Sequence, residues 1–201
     1  MEGITFLEYI GVFAFAISGA NTAMEEEFDL LGVYILGIIT AMGGGIIRDI
    51  VTGEGIPIFF HSYSTIVLIL IATTLAIFLK CKWKNHSMLV FVDAIGLAAF
   101  VVSSGIKAID NDYNFILFIF VTSITGVGGG LLRDIIINRK PVVFQSDIYC
   151  LAGIAGAILL RFFYIYFGIV NAAYLALCLI VFIRMFSYKW NLNLPKIKYL
   201  Y

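Results

Sequence analysis

The sequence predicts an all-α integral membrane protein of seven transmembrane helices, built as two inverted three-helix repeats plus a seventh helix. Three observations carry that prediction. Hydrophobic residues make up 62% of the 201 residues and charged ones 13%, too little polar material to cover a water-soluble globule. The apolar residues fall into runs of about 20, the length of helix that crosses a hydrocarbon core. The chain also matches itself at an offset of 85 residues, with the run Gly-Gly-Gly-x-x-Arg-Asp in each copy.

The runs are residues 4–24, 30–52, 61–79, 88–107, 114–138, 147–167 and 170–188. The first has no basic stretch before it and leads into Glu25, Glu26 and Glu27, which argues for a retained span and against a cleaved signal peptide. The second and fifth each carry one glycine run near their C-terminal end. Short connections suit one compact bundle, and the alternating ten-residue segments of a membrane β-barrel are missing. Trp83 and Trp190 read as interface anchors. Cys81, Cys150 and Cys178 are odd in number and widely spaced, so they read as free thiols. A formal net charge of zero gives no electrostatic footprint for nucleic acid.

Seven spans put the termini on opposite faces, so basic residues can be compared between faces. Lys80, Lys82, Lys84, Arg133, Arg139, Lys140, Arg184, Lys189, Lys196 and Lys198 fall on one, and Arg48, Lys107 and Arg161 on the other. Ten against three places the C-terminus in the cytoplasm and the N-terminus outside the cell membrane. The tail beyond the last span reads as a solvated extension.

The self-match pairs Phe6, Glu8, Ile10, Gly11, Phe15 and Ser18 with Phe91, Asp93, Ile95, Gly96, Phe100 and Ser103. It also pairs Thr40, Gly43 to Gly45, Arg48 and Asp49 with Thr125, Gly128 to Gly130, Arg133 and Asp134. After a one-residue slip, Pro57 and Phe60 match Pro141 and Phe144. Three spans per copy is an odd number, so the second copy enters the membrane inverted. The predicted divisions are residues 1–86, 87–168, and 169–201 for the seventh helix and tail.

Three successive glycines predict a kink or an unwound turn in spans 2 and 5, and freed backbone groups there must be buried or face a water-filled cavity. The alternative is close helix packing, for which Gly126 and Gly130 form a G-x-x-x-G. Matching Gly-interrupted helices in the two halves of an inverted repeat point to a pore or binding site. Arg48 and Arg133 require partners if buried. The topology offers Glu8 for Arg48 and Asp93 for Arg133, one pair toward each face, with Asp49 and Asp134 as further partners or backbone caps. Breaking and remaking such pairs would gate a cation path. Ser18, Ser103 and Ser104 are further candidates for its wall, unless they bond only to the preceding helical turn. Lys107 corresponds to Thr22, which makes the halves chemically unequal. Paired-histidine, Walker and nucleophile-elbow motifs are lacking, and His61 and His86 lie far apart; neither catalysis, a metal nor a cofactor is indicated.

With the segment from Phe13 to Ala20, the two Gly-Gly-Gly-x-x-Arg-Asp runs, and Pro57 and Pro141, the chain resembles prokaryotic members of the trimeric intracellular cation (TRIC) channel family over nearly its whole length. The resemblance implies a homotrimer with one monovalent-cation pore per subunit, K⁺ being the usual ion, lined by kinked second and fifth helices. It carries Gly43 to Gly45, Arg48, Asp49, Gly128 to Gly130, Arg133 and Asp134 onto the family's motif. The lipid-binding lysines of eukaryotic relatives find no clear match, so phosphoinositide binding is not implied. Bacterial proteins with the same doubled motif are also regarded as carriers of small solutes such as glycine, which makes a secondary transporter the alternative.

Overall fold

The structure, a computed structural model, describes residues 2–79, 86–145 and 148–192. Lys80, Cys81, Lys82, Trp83, Lys84, Lys196 and Lys198 lie outside the described residues. The helices are α1 (Glu2–Glu25), α2 (Leu30–Thr52), α3 (Tyr63–Leu79), α4 (His86–Asp110), α5 (Phe115–Ile136), a single turn α6 (Val142–Gln145) and α7 (Ile148–Trp190). A 3₁₀ turn, Ile58–His61, follows α2. Helices α1, α2, α4, α5 and α7 are long and apolar enough to cross a bilayer, and α3, with 17 residues, stands at the lower limit of a spanning helix.

Helix α7 is two spans joined at Gly168. That residue has φ 75° and ψ 162°, a backbone region essentially closed to residues with a Cβ. A Cβ on Gly156 would collide with Ile180 and come within 3.4 Å of the Ala176 carbonyl. Residues 156 and 180 lie equally far from 168, so the two limbs fold back antiparallel. Seven crossings result.

The inverted repeat extends to the turns. Asp29 caps α2 by accepting from the Gly32 amide at 2.7 Å, and Asn114, 85 residues on, caps α5 by accepting from Leu117 at 2.9 Å. Each cap fills an orphan donor of a helix N-terminus. Just before them, Glu27 (φ 59°) and Asp112 (φ 51°) both take the left-handed conformation that ends the preceding helix. After the glycine helices, Gly53 (φ 73°) and Asn138 (φ 56°) do the same. The 3₁₀ turn after Pro57 and α6 after Pro141 are likewise equivalents.

At the centre the halves interlock. Helix α1 packs against α2, α3 and α4, α2 crosses α5, and α4 packs against α5 and α7. The rings of Phe15 and Phe100, repeat equivalents, meet with centroids 5.3 Å apart. Phe100 belongs to the core built mainly from the first half around Phe15, Leu36 and Ile69. A second core gathers Leu97, Phe118, Leu160 and Ile180.

The glycine runs do something other than interrupt their helices. Both α2 and α5 continue as α-helix through Gly43–Gly45 and Gly128–Gly130, so neither helix unwinds there. The glycines instead let the backbones of α2 and α5 touch. A Cβ on Gly44 would strike the Thr125 carbonyl, and one on Gly129 would strike the Thr40 carbonyl, each collision being the repeat image of the other. A Cβ on Gly128 would stand 2.9 Å from Gly44 Cα, and one on Gly43 would stand 2.7 Å from a Leu132 methyl. In lipid no hydrophobic force drives helices together, so this close van der Waals approach is itself what holds the crossing. The propensity cost of glycine is offset by contact, and unwinding is unnecessary.

Candidate functional site: two charged vestibules

Each glycine helix delivers an Arg-Asp pair to one end of the interlocked core, and a cavity opens at each pair. The first cavity, of about 450 Å³, is lined by Glu8, Tyr9, Gly45, Arg48, Asp49, Phe59, Lys107 and Asp110 among others. The second, of about 520 Å³, is lined by Ser18, Thr22, Glu25, Asp93, Arg133, Asp134, Arg139, Lys140 and Arg184 among others. Glu8 and Glu25 lie near opposite ends of α1, so the cavities are vestibules at opposite ends of the bundle. Between them α1 carries Phe15, fully buried, and the α2–α5 crossing places Thr40 and Thr125, also fully buried.

In the second vestibule Arg133 is buried and its donors are distributed over three partners. Its Nε donates to Asp134 Oδ1 at 2.8 Å, and Nη1 donates to Asp93 Oδ1 at 3.1 Å and to Ser18 Oγ at 2.8 Å. Ser18 in turn donates to Asp93 at 3.2 Å. Asp134 Oδ2 accepts from the Val142 amide at 2.8 Å, so this carboxylate both neutralises the arginine and fixes the start of α6. One guanidinium thereby ties α1, α4, α5 and α6 together. A buried cation is tolerable only with such pairing.

The first vestibule repeats the pattern with a change. Arg48 Nε donates to Asp49 Oδ1 at 2.7 Å, and Arg48 Nη1 is 3.5 Å from Glu8 Oε1. Lys107 Nζ reaches the same Glu8 oxygen at 2.6 Å. Its equivalent in the other vestibule, Thr22, instead donates to the Ser18 carbonyl at 2.9 Å. Glu8 thus lies between two cations, whereas Asp93 is held by one cation and a hydroxyl.

The remaining candidates separate by location. Gly45 lines the first vestibule with nothing within 4 Å of a notional Cβ. A Cβ on Gly130 would stand 3.8 Å from Arg133 Nη2. Gly43, Gly44, Gly128 and Gly129 lie in the helix crossing, away from both vestibule walls. Ser103 and Ser104 are fully buried and donate to the Phe100 carbonyl at 3.3 Å and 2.5 Å; they serve their own helix and line neither vestibule. The sequence reading counts Arg184 only toward the basic face; the structure buries it in the second limb of α7 with its guanidinium carbon 4.4 Å from the ring centre of buried Tyr149. The available signal was a lone arginine within an apolar run, the class of residue that marks intramembrane sites.

Comparison with known proteins adds to this geometry. The sequence profile of the family described as Glycine transporter matches residues 5–80 and again residues 90–165, two matches separated by the offset of the repeat. The UPF0126 membrane protein YvgT of Bacillus subtilis (strain 168) is 37% identical, over 94% of both chains. Among solved structures, a TRIC cation channel studied for its conductance superposes with a TM-score of 0.87 at 31% identity, covering 98% of each chain. The TRIC trimeric intracellular cation channel orthologue from Rhodobacter sphaeroides gives 0.89 at 25% identity, covering 96% of this chain and all of that one.

Proposed function

Because this chain belongs to the glycine transporter family of membrane proteins and is a prokaryotic relative of the TRIC cation channels, we propose that it is a monovalent-cation channel. The observation that carries the reading is the pair of symmetry-related vestibules, each ending on a buried arginine already neutralised by carboxylates. An unpaired arginine there would repel a cation, whereas a paired one leaves hydroxyls and spare carboxylate oxygens to replace waters of hydration. Conduction joins the vestibules through the stretch now filled by Phe15, Thr40 and Thr125, so opening requires a shift at the α2–α5 crossing. K⁺ is the proposed ion and a homotrimer with one pathway per subunit the proposed assembly; the Rhodobacter sphaeroides relative is named a trimeric cation channel. We also propose that the Arg133 end, which gathers Arg139, Lys140 and Arg184, faces the cytoplasm.

The second reading is a carrier for a small zwitterion such as glycine. Two vestibules opening to opposite ends around a packed centre, related by an inverted repeat, are equally the plan of alternating access. Purified protein in planar bilayers distinguishes them. Discrete unitary K⁺ currents support the channel; saturable glycine uptake into liposomes without unitary currents overturns it in favour of the carrier.

A further inference from the structure

The two vestibules have the same backbone but opposite mouths. At the Arg133 end, Arg139 Nη1 lies 3.6 Å from Glu25 Oε2, and Nη2 contacts Glu26 Oε1 more closely still. All three side chains are partly exposed, and Glu25 and Arg139 both line the vestibule. The pairing therefore joins the α1–α2 turn of one repeat to the α5–α6 turn of the other across the opening.

Two features show that the pairing is specific to this mouth. Acidic residues at the C-terminus of a helix oppose its dipole, so Glu25 and Glu26 at the end of α1 are unfavourable unless a cation answers them. Arg139 is delivered to them by a left-handed Asn138 and by its own amide, which donates to the Asp134 carbonyl at 2.9 Å. The repeat equivalent of that bond, Glu54 amide to Asp49 carbonyl at 3.1 Å, is present at the other end. There, however, Arg139 is replaced by Glu54, Glu25 by Asp110 and Glu26 by Asn111. A matching helix-end bond thus precedes opposite charges at one mouth, and at the other the equivalent positions hold only acidic or neutral side chains.

We propose that Arg139 with Glu25 and Glu26 is a salt-sensitive latch that narrows the mouth of the Arg133 vestibule, and that the Arg48 vestibule has no such latch. The inference rests on reading the vestibules as parts of a transport path. Exposed ion pairs weaken as salt screens them, so the permeant electrolyte itself loosens the strap.

The test reads access to the vestibule, independently of conduction. Cys81, Cys150 and Cys178 are replaced by serine in the full chain, and Thr22→Cys reports on the Arg133 vestibule while Thr65→Cys reports on the other. Iodoacetamide, small and neutral, labels the protein in detergent micelles from about 10 mM to about 1 M salt, over which the screening length falls from about 30 Å to about 3 Å. Labelling at Thr22→Cys is expected to rise about two- to tenfold with salt. Arg139→Glu gives the fast rate at low salt and abolishes the salt dependence, and adding Glu25→Arg and Glu26→Arg restores both. Labelling at Thr65→Cys does not respond to Arg139→Glu. The latch is overturned if Arg139→Glu leaves Thr22→Cys labelling unchanged, if it raises both reporters alike, or if the triple reversal fails to restore it. An absence of unitary currents alongside a salt-dependent label would remove the channel reading and leave the latch standing.

Discussion

Arg133 illustrates how much a single side chain does when water is absent. Its guanidinium satisfies Asp93, Asp134 and Ser18 together, so truncating it leaves two buried carboxylates without their counter-ion. Arg133→Gln is expected to cost about 3–5 kcal/mol of stability, read as lost thermal stability in detergent, with part of the loss recovered by adding Asp93→Asn. Lys107 makes the converse point, because it competes with Arg48 for one oxygen of Glu8. Lys107→Thr, which imposes the chemistry of the other vestibule, makes the first vestibule more acidic. K⁺ conductance is expected to rise at low ionic strength and to converge with the parent in high salt; equal conductance at both would refute the electrostatic role of Lys107. The nearness of Glu8 to Arg48 and of Asp93 to Arg133 is legible in the sequence, since the repeat offset and the alternation of spans bring those positions to the same depth. Arg184 over Tyr149 and Arg139 with Glu25 and Glu26 are not legible: no periodicity relates those positions, and their meeting depends on how α7 and the turns pack.

The helices carry a lesson about glycine. Three in succession suggest a broken helix from propensity alone, yet Gly43–Gly45 and Gly128–Gly130 remain helical because bonding to the preceding turns survives and the missing side chains are exchanged for backbone contact across the crossing. Sequence reasoning held packing and unwinding as alternatives, and only the partner helix decides between them. The three positions of one run differ accordingly. Gly44→Ala drives a methyl into the Thr125 carbonyl and is expected to destabilise by about 1–3 kcal/mol or more. Gly45→Ala meets open space and gains up to about 1 kcal/mol of helix propensity. Thermal unfolding of the two variants should diverge in sign. At Gly168 the space is open but the backbone is not, so Gly168→Ala is expected to cost about 1–3 kcal/mol through strain, measurable in the same way.

For the whole molecule, the span count and the duplication are legible from hydropathy and self-similarity, because each depends on the period of the pattern. Interdigitation is not, since it depends on shape. The halves do not stand side by side: α1 lies against α4, α2 crosses α5, and Phe100 fills the core of the opposite half. This interlocking bears on biogenesis. Ser18 finds Arg133 only 115 residues later in the chain, and Gly44 meets Thr125 only after the first half is complete. At a synthesis rate of about 5–20 residues per second, the first three helices spend roughly ten seconds in the bilayer with a bare glycine face and half-satisfied charges. A nascent chain in that interval is an unfinished surface, and the insertion machinery or a chaperone within the membrane has reason to shield it until the inverted twin arrives.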